Sequence, residues 1–290
     1  MSSFSSFNEK MSLTSMSKQG LKFYKYHGCG NDFIIIDQVQ NPSDFDSFHG
    51  LSEQKIRELC TWHTGIGADG LIFLMPSHQH SFRMDYYNAD GRLGSLCGNG
   101  SRCAVRCAYD LGMRPDNNGI FRFEAHDGDH LATIEDDLVT VSLHDFPAPI
   151  TTLHGWFVNN GSPHFLIPSH ELNEINVDSE GKLWRHHSQF NPGGTNVNFI
   201  QILAKSHLKI RTFERGVERE TMACGTGVTA AAAWYASYEA HEGSTTTQHA
   251  INIETLGGHL QVNFTLADQV IKDVQLTGPA TSVFEGYLSI

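Results

Sequence analysis

Cys97-Gly98-Asn99-Gly100 recurs later in the chain as Cys224-Gly225-Thr226-Gly227, and these two copies decide how the rest is read. In each, a cysteine and a Gly-polar-Gly turn open a segment of helical pattern, Ser101 to Met113 in the first copy and Val228 to His241 in the second. Two thiols are thereby placed at two helix starts. A helix N-terminus presents unpaired backbone N–H groups and the positive end of the helix dipole, so it favours a thiolate and binds a carboxylate. Two such ends facing each other would hold an amino acid's carboxylate while the sulfurs flank its α-carbon.

The echo continues outward. Gly28-Cys29-Gly30-Asn31-Asp32-Phe33-Ile34-Ile35 precedes the first cysteine and Asn160-Gly161-Ser162-Pro163-His164-Phe165-Leu166-Ile167 precedes the second, each a polar glycine turn entering an apolar strand. Between turn and cysteine both halves read as helix, strand, strand: Ser52–Trp62, Leu71–Met75 and Phe82–Tyr87, then Asp178–Gln189, Val197–Leu203 and His207–Phe213. After each cysteine helix come three further strands, Gly119–Ala125, His130–Glu135 and Leu138–His144, then Ala250–Thr255, His259–Thr265 and Val270–Leu276. One α/β unit is used twice. The expected division is a disordered tail over 1–20, an N-terminal half over 21–146 carrying Cys97, and a C-terminal half over 147–278 carrying Cys224. Pro147 and Pro149 mark the hinge, and a last strand, Ser282–Leu288, is expected to cross back so that 279–290 joins the first half.

At 290 residues, with 40% apolar and 18% charged residues, the chain has globular composition and room for two cores. A formal net charge of −12 without any basic run argues against nucleic acid or an anionic membrane as partner. With neither a membrane-length apolar run nor a signal segment, the chain is expected to be cytoplasmic. The six cysteines include no C-x-x-C pair and the 17 histidines no H-E-x-x-H, so spacing recommends neither a disulfide framework nor a metal site. Cys103 and Cys107 fall at the helical spacing of Ala104, Ala108 and Leu111 and read as core. Cys97, set in a glycine turn, has no packing task.

The runs His27-Gly28-Cys29-Gly30-Asn31-Asp32-Phe33, Asn88-Ala89-Asp90-Gly91, Cys97-Gly98-Asn99-Gly100, Gly161-Ser162-Pro163-His164 and Glu214-Arg215-Gly216 up to Cys224-Gly225-Thr226-Gly227 resemble those of the diaminopimelate epimerase family, in its order, from about Leu21 to the end. The resemblance implies an α/β fold of two pseudo-symmetric domains, each a curled, mainly antiparallel sheet around a central helix, with a small amino-acid substrate in the cleft. It implies a cofactor-independent isomerase that interconverts L,L- and meso-diaminopimelate, needing neither pyridoxal phosphate nor metal, and a homodimer. By the same resemblance Cys97 and Cys224 are the two catalytic thiols, one per face, and His164 and Glu214 set their protonation. Asn31, Asn88, Asn196, Glu214 and Arg215 hold the substrate, together with the backbone of Gly98, Asn99, Gly225 and Thr226. Gly70 and Ser162 stand where many members carry Gln and Asn, and Cys29 where Leu is usual.

The chemistry agrees with that assignment. Inverting an α-carbon means taking a weakly acidic proton from one face and returning one to the other, which two opposed groups do without crossing the substrate. A thiol with an ordinary pKa of about 8.5, lowered modestly at a helix start, would supply the base. Two other readings share the cysteines. A proline racemase-like enzyme usually carries His where this chain has Asn99, and free proline offers nothing for Arg215 to bind. A thiol redox sensor would join Cys97 to Cys224 in a reversible disulfide.

Overall fold

The computed structural model describes residues 20–40, 51–94, 96–239 and 246–289. The expected tail up to residue 19, the 41–50 loop and residues 240–241 of the second cysteine helix lie outside the described residues. The first half runs β1 (Gly20–Gly28), β2 (Asn31–Asp37), α1 (Glu53–Cys60), β3 (Gly70–Met75), β4 (Phe82–Asn88), α2 (Gly98–Asp110), β5 (Phe121–Ala125), β6 (Gly128–Glu135) and β7 (Leu138–Ser142). Two short strands, β8 (Phe146–Pro147) and β9 (Ile150–Thr152), lead into the second half. That half runs β10 (Gly155–Asn159), β11 (Pro163–Pro168), α3 (Val177–Arg185), β12 (Asn196–Ala204), β13 (His207–Glu214), β14 (Arg219–Thr221), α4 (Gly225–Glu239), β15 (Thr246–Thr255), β16 (Gly258–Ala267) and β17 (Val270–Pro279). The last strand, β18 (Thr281–Ser289), pairs antiparallel with β1.

Apart from β14, the halves repeat element for element, and the pairing repeats with them. β2–β3 and β4–β5 are parallel in the first half, β11–β12 and β13–β15 in the second, and the neighbouring pairs are antiparallel. Parallel neighbours need crossover connections, and helices supply them. The two sheets join where equivalent strands meet: β7 pairs antiparallel with β17, with Thr140 opposite Thr277 and their hydroxyls 2.8 Å apart.

Each sheet is covered on both faces where its parallel strands lie, which is why those strands read as unbroken apolar runs. All of β3 is buried, as are Phe33–Ile36 of β2. The inner faces wrap α2 and α4 in one large core. The outer face of the first half packs Ile34, Ile36, Leu71 and Phe73 under Ile56 and Leu59 of α1, and the second packs Phe165, Val197, Phe199 and Phe213 under Val177 of α3. α4 is buried from Val228 to Ala236, so its sequence shows no polar face. Cys103 and Cys107 of α2 are fully buried, as their spacing predicts.

On α3, Gly181 is buried against β13, and a Cβ there would lie 2.3 Å from the Cβ of Phe213. Alanine would gain about 1 kcal/mol of helix propensity. Overpacking against an atom that cannot swing away costs roughly 1–3 kcal/mol and outweighs it. Gly181→Ala is therefore expected to lower the free energy of unfolding by up to about 2 kcal/mol in urea titrations, and a stabilised variant would contradict this packing.

Candidate active site

The two cysteines meet where α2 and α4 begin. Cys97 is the N-cap of α2: its carbonyl accepts from Ser101 N at 2.7 Å and its Sγ from Gly100 N at 3.5 Å. The carbonyl of Cys224 accepts from Val228 N at 2.9 Å, and the Gly227 N–H faces the Cys224 sulfur. The Gly-polar-Gly runs are thus the first turns of the helices themselves. Close approach explains the glycines: a Cβ on Gly225 would lie 3.5 Å from Gly98 Cα, one on Gly98 2.8 Å from Leu276 Cδ2, and one on Gly227 2.6 Å from Asn198 Oδ1. The two helix N-termini face each other across this contact, and their first N–H groups have no partner within the helices.

A cavity of about 440 Å³ opens beside this junction, lined from both halves. Of the candidates read from sequence, Asn31, Asn88, Cys97, Gly98, Asn99, Asn196, Glu214, Arg215, Cys224, Gly225 and Thr226 all line it. His164 does not touch it directly. His164 is fully buried behind Thr226, with Nδ1 accepting from Asn198 Nδ2 at 3.1 Å. That leaves Nε2 to donate to Thr226 Oγ1 at 3.0 Å, and Thr226 Oγ1 lies 3.4 Å from Cys224 Sγ. The tautomer follows from the Asn198 amide, whose oxygen accepts from Thr212 and whose nitrogen also donates to Phe165 O. Burial holds the imidazole pKa down to about 3, so it is neutral and turns the Thr226 hydroxyl proton toward sulfur.

On the other face, Cys97 Sγ lies 3.8 Å from Asn31 Oδ1. Asn31 in turn donates to Asp69 at 2.7 Å and accepts from Asn99 Nδ2 at 3.2 Å. Asn99 also reaches across the junction, donating to Ala223 O at 3.1 Å. Behind it Arg102, fully buried on α2, donates to Asn99 Oδ1 at 3.0 Å and to the carbonyls of Gly98 and Pro279. Among the described residues no carboxylate pairs with Arg102, so a net positive charge stands beneath the helix starts. Arg102 lies off the packing stripe of Ala104, Cys107, Ala108 and Leu111, where helical periodicity would leave a charged residue to solvent, and its burial comes from the second half closing over it.

Asn196 spends its amide internally, donating to Ser162 Oγ and Pro163 O, both at 2.9 Å, and accepting from Arg215 N at 2.8 Å. It thereby sets the start of the Arg215 turn, whose guanidinium makes no ion pair among the described residues. Two further residues enter the cavity. The Tyr86 ring fills the space left by Gly70 and Gly94, where a Cβ on either would lie 2.5 Å from it, and its hydroxyl donates to Asn88 Oδ1 at 3.0 Å. Asn160 lines the cavity, donates to Thr226 O at 2.8 Å and leaves its buried Oδ1 without a partner. Both lie near the substitutions noted in the sequence, Gly70 and Ser162, but only space shows what stands there instead.

The thiols depart from expectation. Both are raised, Cys97 to about 11, by burial first; the Glu214 carboxylate pushes both further, while N–H groups at the helix starts pull down. Burial outweighs the helix ends because it can move a pKa by several units, whereas a helix terminus contributes about 0.3–2 kcal/mol. Glu214 is itself raised to about 7, by burial and then by Asp69, against a hydrogen bond from Thr221 Oγ1 at 2.9 Å. A folded-state pKa above the unfolded one makes stability fall as pH rises between about 4.5 and 7. Discounted for partial exposure, the loss is about 2 kcal/mol at roughly 1.4 kcal/mol per pKa unit. Relative to wild type, Glu214→Gln is expected to gain that much in unfolding free energy between pH 5 and pH 8, and a pH-independent difference would place the raised carboxyl elsewhere.

The diaminopimelate epimerase family model matches residues 23–144 and 156–283, one stretch for each half. Diaminopimelate epimerase of Aquifex aeolicus (strain VF5) is 36% identical over 288 residues, covering 93% of this chain and 98% of that protein. Its counterpart from Chlorobaculum tepidum is 40% identical over 272 residues, covering 91% and 99%. Among solved structures, a PhzF-family phenazine biosynthesis protein of Bacillus anthracis superposes with a TM-score of 0.69 at 15% identity, over 93% of this chain and 99% of that one. A hydroxyproline epimerase of Agrobacterium vitis, solved with trans-4-hydroxy-L-proline, gives 0.67 at 16%, covering 94% of each chain. These two likenesses speak to the fold, which carries more than one chemistry.

Proposed function

The chain belongs to the diaminopimelate epimerase family, and from that premise we propose how its cleft inverts one α-carbon of diaminopimelate, converting the L,L isomer to the meso isomer and back. The reaction belongs to lysine and peptidoglycan-precursor biosynthesis. The observation that carries the reading is the convergence of Cys97 and Cys224, from opposite halves, on one cavity beside two helix N-termini.

The substrate's reacting carboxylate docks on the backbone N–H groups of Gly98, Asn99, Gly225 and Thr226. There it meets both helix dipoles and the charge of Arg102, and the negative charge that builds on it as the α-proton leaves is held by donors already aimed at it. The α-ammonium group docks at Glu214. Its positive charge offsets the Glu214 share of the rise in both thiols, and one thiol, releasing its proton to solvent as substrate enters, becomes the thiolate. One sulfur, as thiolate, takes the α-proton; the other, as thiol, delivers its own proton to the opposite face. Atoms and charge balance, and the two sulfurs exchange roles for the reverse direction. His164, acting through Thr226, positions a hydroxyl donor on Cys224, and Asn31 is the neighbour of Cys97.

The far, unreacting amino-acid head faces Arg215, Asn88 and Asn160. Arg215 takes its carboxylate in a planar fork. The spare amide oxygen of Asn160 accepts from its ammonium group, and Tyr86, kept neutral by burial, braces Asn88. We propose that the enzyme is cytoplasmic and, on the family resemblance, a homodimer.

The direct test is an NMR time course of the purified protein with L,L-diaminopimelate in deuterated water, without added cofactor. The meso isomer should appear with one α-deuterium, delivered by the solvent-exchanged thiol. Cys97→Ser and Cys224→Ser should each lower kcat by about 10²–10⁴, and undiminished turnover in either variant would sink the two-thiol mechanism. Asn160→Ala should raise KM about tenfold with kcat nearly unchanged, since the contact it removes is made equally in ground and transition states. A fall in kcat at constant KM would remove Asn160 from the distal site.

A further inference from the structure

The β5–β6 hairpin and the segment leaving β7 bring together three residues that the reaction does not use. We propose that Asp127, His130 and His144 form a binding site for a divalent transition-metal ion of the zinc class at the wall of the cleft. Their ligand atoms all lie within 4.8 Å of one another. Asp127 and His144 also line the cavity that holds the two cysteines.

The arrangement has the features of a built site. His130 is 1% exposed, and its Nδ1 lies 2.9 Å from the Ser142 carbonyl, an acceptor that fixes this nitrogen as the N–H. In the neutral ring Nε2 then presents a lone pair, and it faces Asp127 Oδ1 at 3.1 Å, an acceptor facing an acceptor. His144 turns its own Nε2 to the same residue, 3.3 Å from Asp127 Oδ2 and 3.1 Å from the Asp127 carbonyl. A proton satisfies such a contact, and so does a cation that accepts the lone pairs of both partners. Among the described residues no Lys or Arg pairs with Asp127, so its charge is not already committed to a fixed cation.

The distances suit zinc. Zinc bound to nitrogen or oxygen at about 2.0–2.1 Å in a tetrahedron separates neighbouring ligand atoms by about 3.3 Å. His130 Nε2 stands 3.1 Å from Asp127 Oδ1 and His144 Nε2 3.3 Å from Asp127 Oδ2, and rotation of the Asp127 carboxylate and of His144, whose side chain is 54% exposed, brings one oxygen and both nitrogens to that spacing. Two imidazoles with one carboxylate select zinc, cobalt or nickel over magnesium or calcium, which prefer oxygen. The Ser142 carbonyl behind His130 is the kind of outer partner that orients a ligating imidazole. The fourth position faces solvent or the cavity. Bound there, an ion would tie the β5–β6 turn to the first residues of the connection between the halves.

The cysteines also attract zinc, so the experiment uses the full chain carrying Cys97→Ser and Cys224→Ser, stripped by chelator and titrated with cobalt(II) and then zinc. We expect one cobalt ion with the visible bands of a tetrahedral nitrogen–oxygen site and no thiolate charge-transfer band, displaced by zinc, with a zinc-dependent rise in Tm. Adding His144→Ala, at an exposed position that should not disturb folding, is expected to weaken binding at least about 100-fold and to abolish the rise in Tm. No bound ion in the parent overturns the proposal. So does unchanged affinity in the His144→Ala variant, which would assign binding to other histidines.

Discussion

Two helix N-termini are held nearly in contact, and the rest of the site follows from that constraint. Like ends of two dipoles repel, and the fully buried guanidinium of Arg102 stands close behind one of them. The junction survives because covalent and sheet geometry impose it: β7 and β17 zip the two sheets together, and Leu276 of β17 fills the wedge against Gly98 and Gly225. Asn99 relieves part of the imbalance by bridging to Ala223. What remains is a preorganised demand for an anion at the point where the two sulfurs converge, which suits a reaction whose hard step is the build-up of negative charge next to a carboxylate.

The same burial that concentrates this field works against the thiolates. Desolvation wins over the helix ends, and Glu214 adds to the cost of a second negative charge. A cleft arranged in this way disfavours a thiolate at either sulfur. On the proposed mechanism substrate charge, rather than a standing thiolate, is the trigger, and the neutral His164, bonded to Thr226 beside Cys224, steers one proton on one face.

Much of this architecture was legible in the chain because a repeat leaves its pattern twice. The cysteine turns, the apolar runs of β2, β3, β11 and β12, and the all-round apolar α4 announced both central helices and their sheets. The strands that escaped notice, β8, β9, β10 and β14, are short or polar, and their order comes from partners in other parts of the chain rather than from alternation. Tyr86 and Asn160 escaped for a related reason. Each stands at an unremarkable strand end or turn, and its value lies in the vacancy it fills, which only the packing of Gly70, Gly94 and Thr226 defines. Asp127, His130 and His144 have no metal-ligand spacing in the sequence, because a hairpin and a connecting segment, rather than one helix face, bring them together.

The sequence by itself determined the doubled α/β unit, the two thiols at helix starts and the chemistry that such a pair can perform, because these rest on local rules: helix periodicity, glycine turns and the reactivity of sulfur. Tertiary structure alone decided the burial that raises those thiols, the placement of His164 behind Thr226, the buried charge of Arg102 and the side chains that line the cleft. Those properties depend on desolvation and on hydrogen-bond partners distant in the chain, and both come into being only when the two halves close on each other.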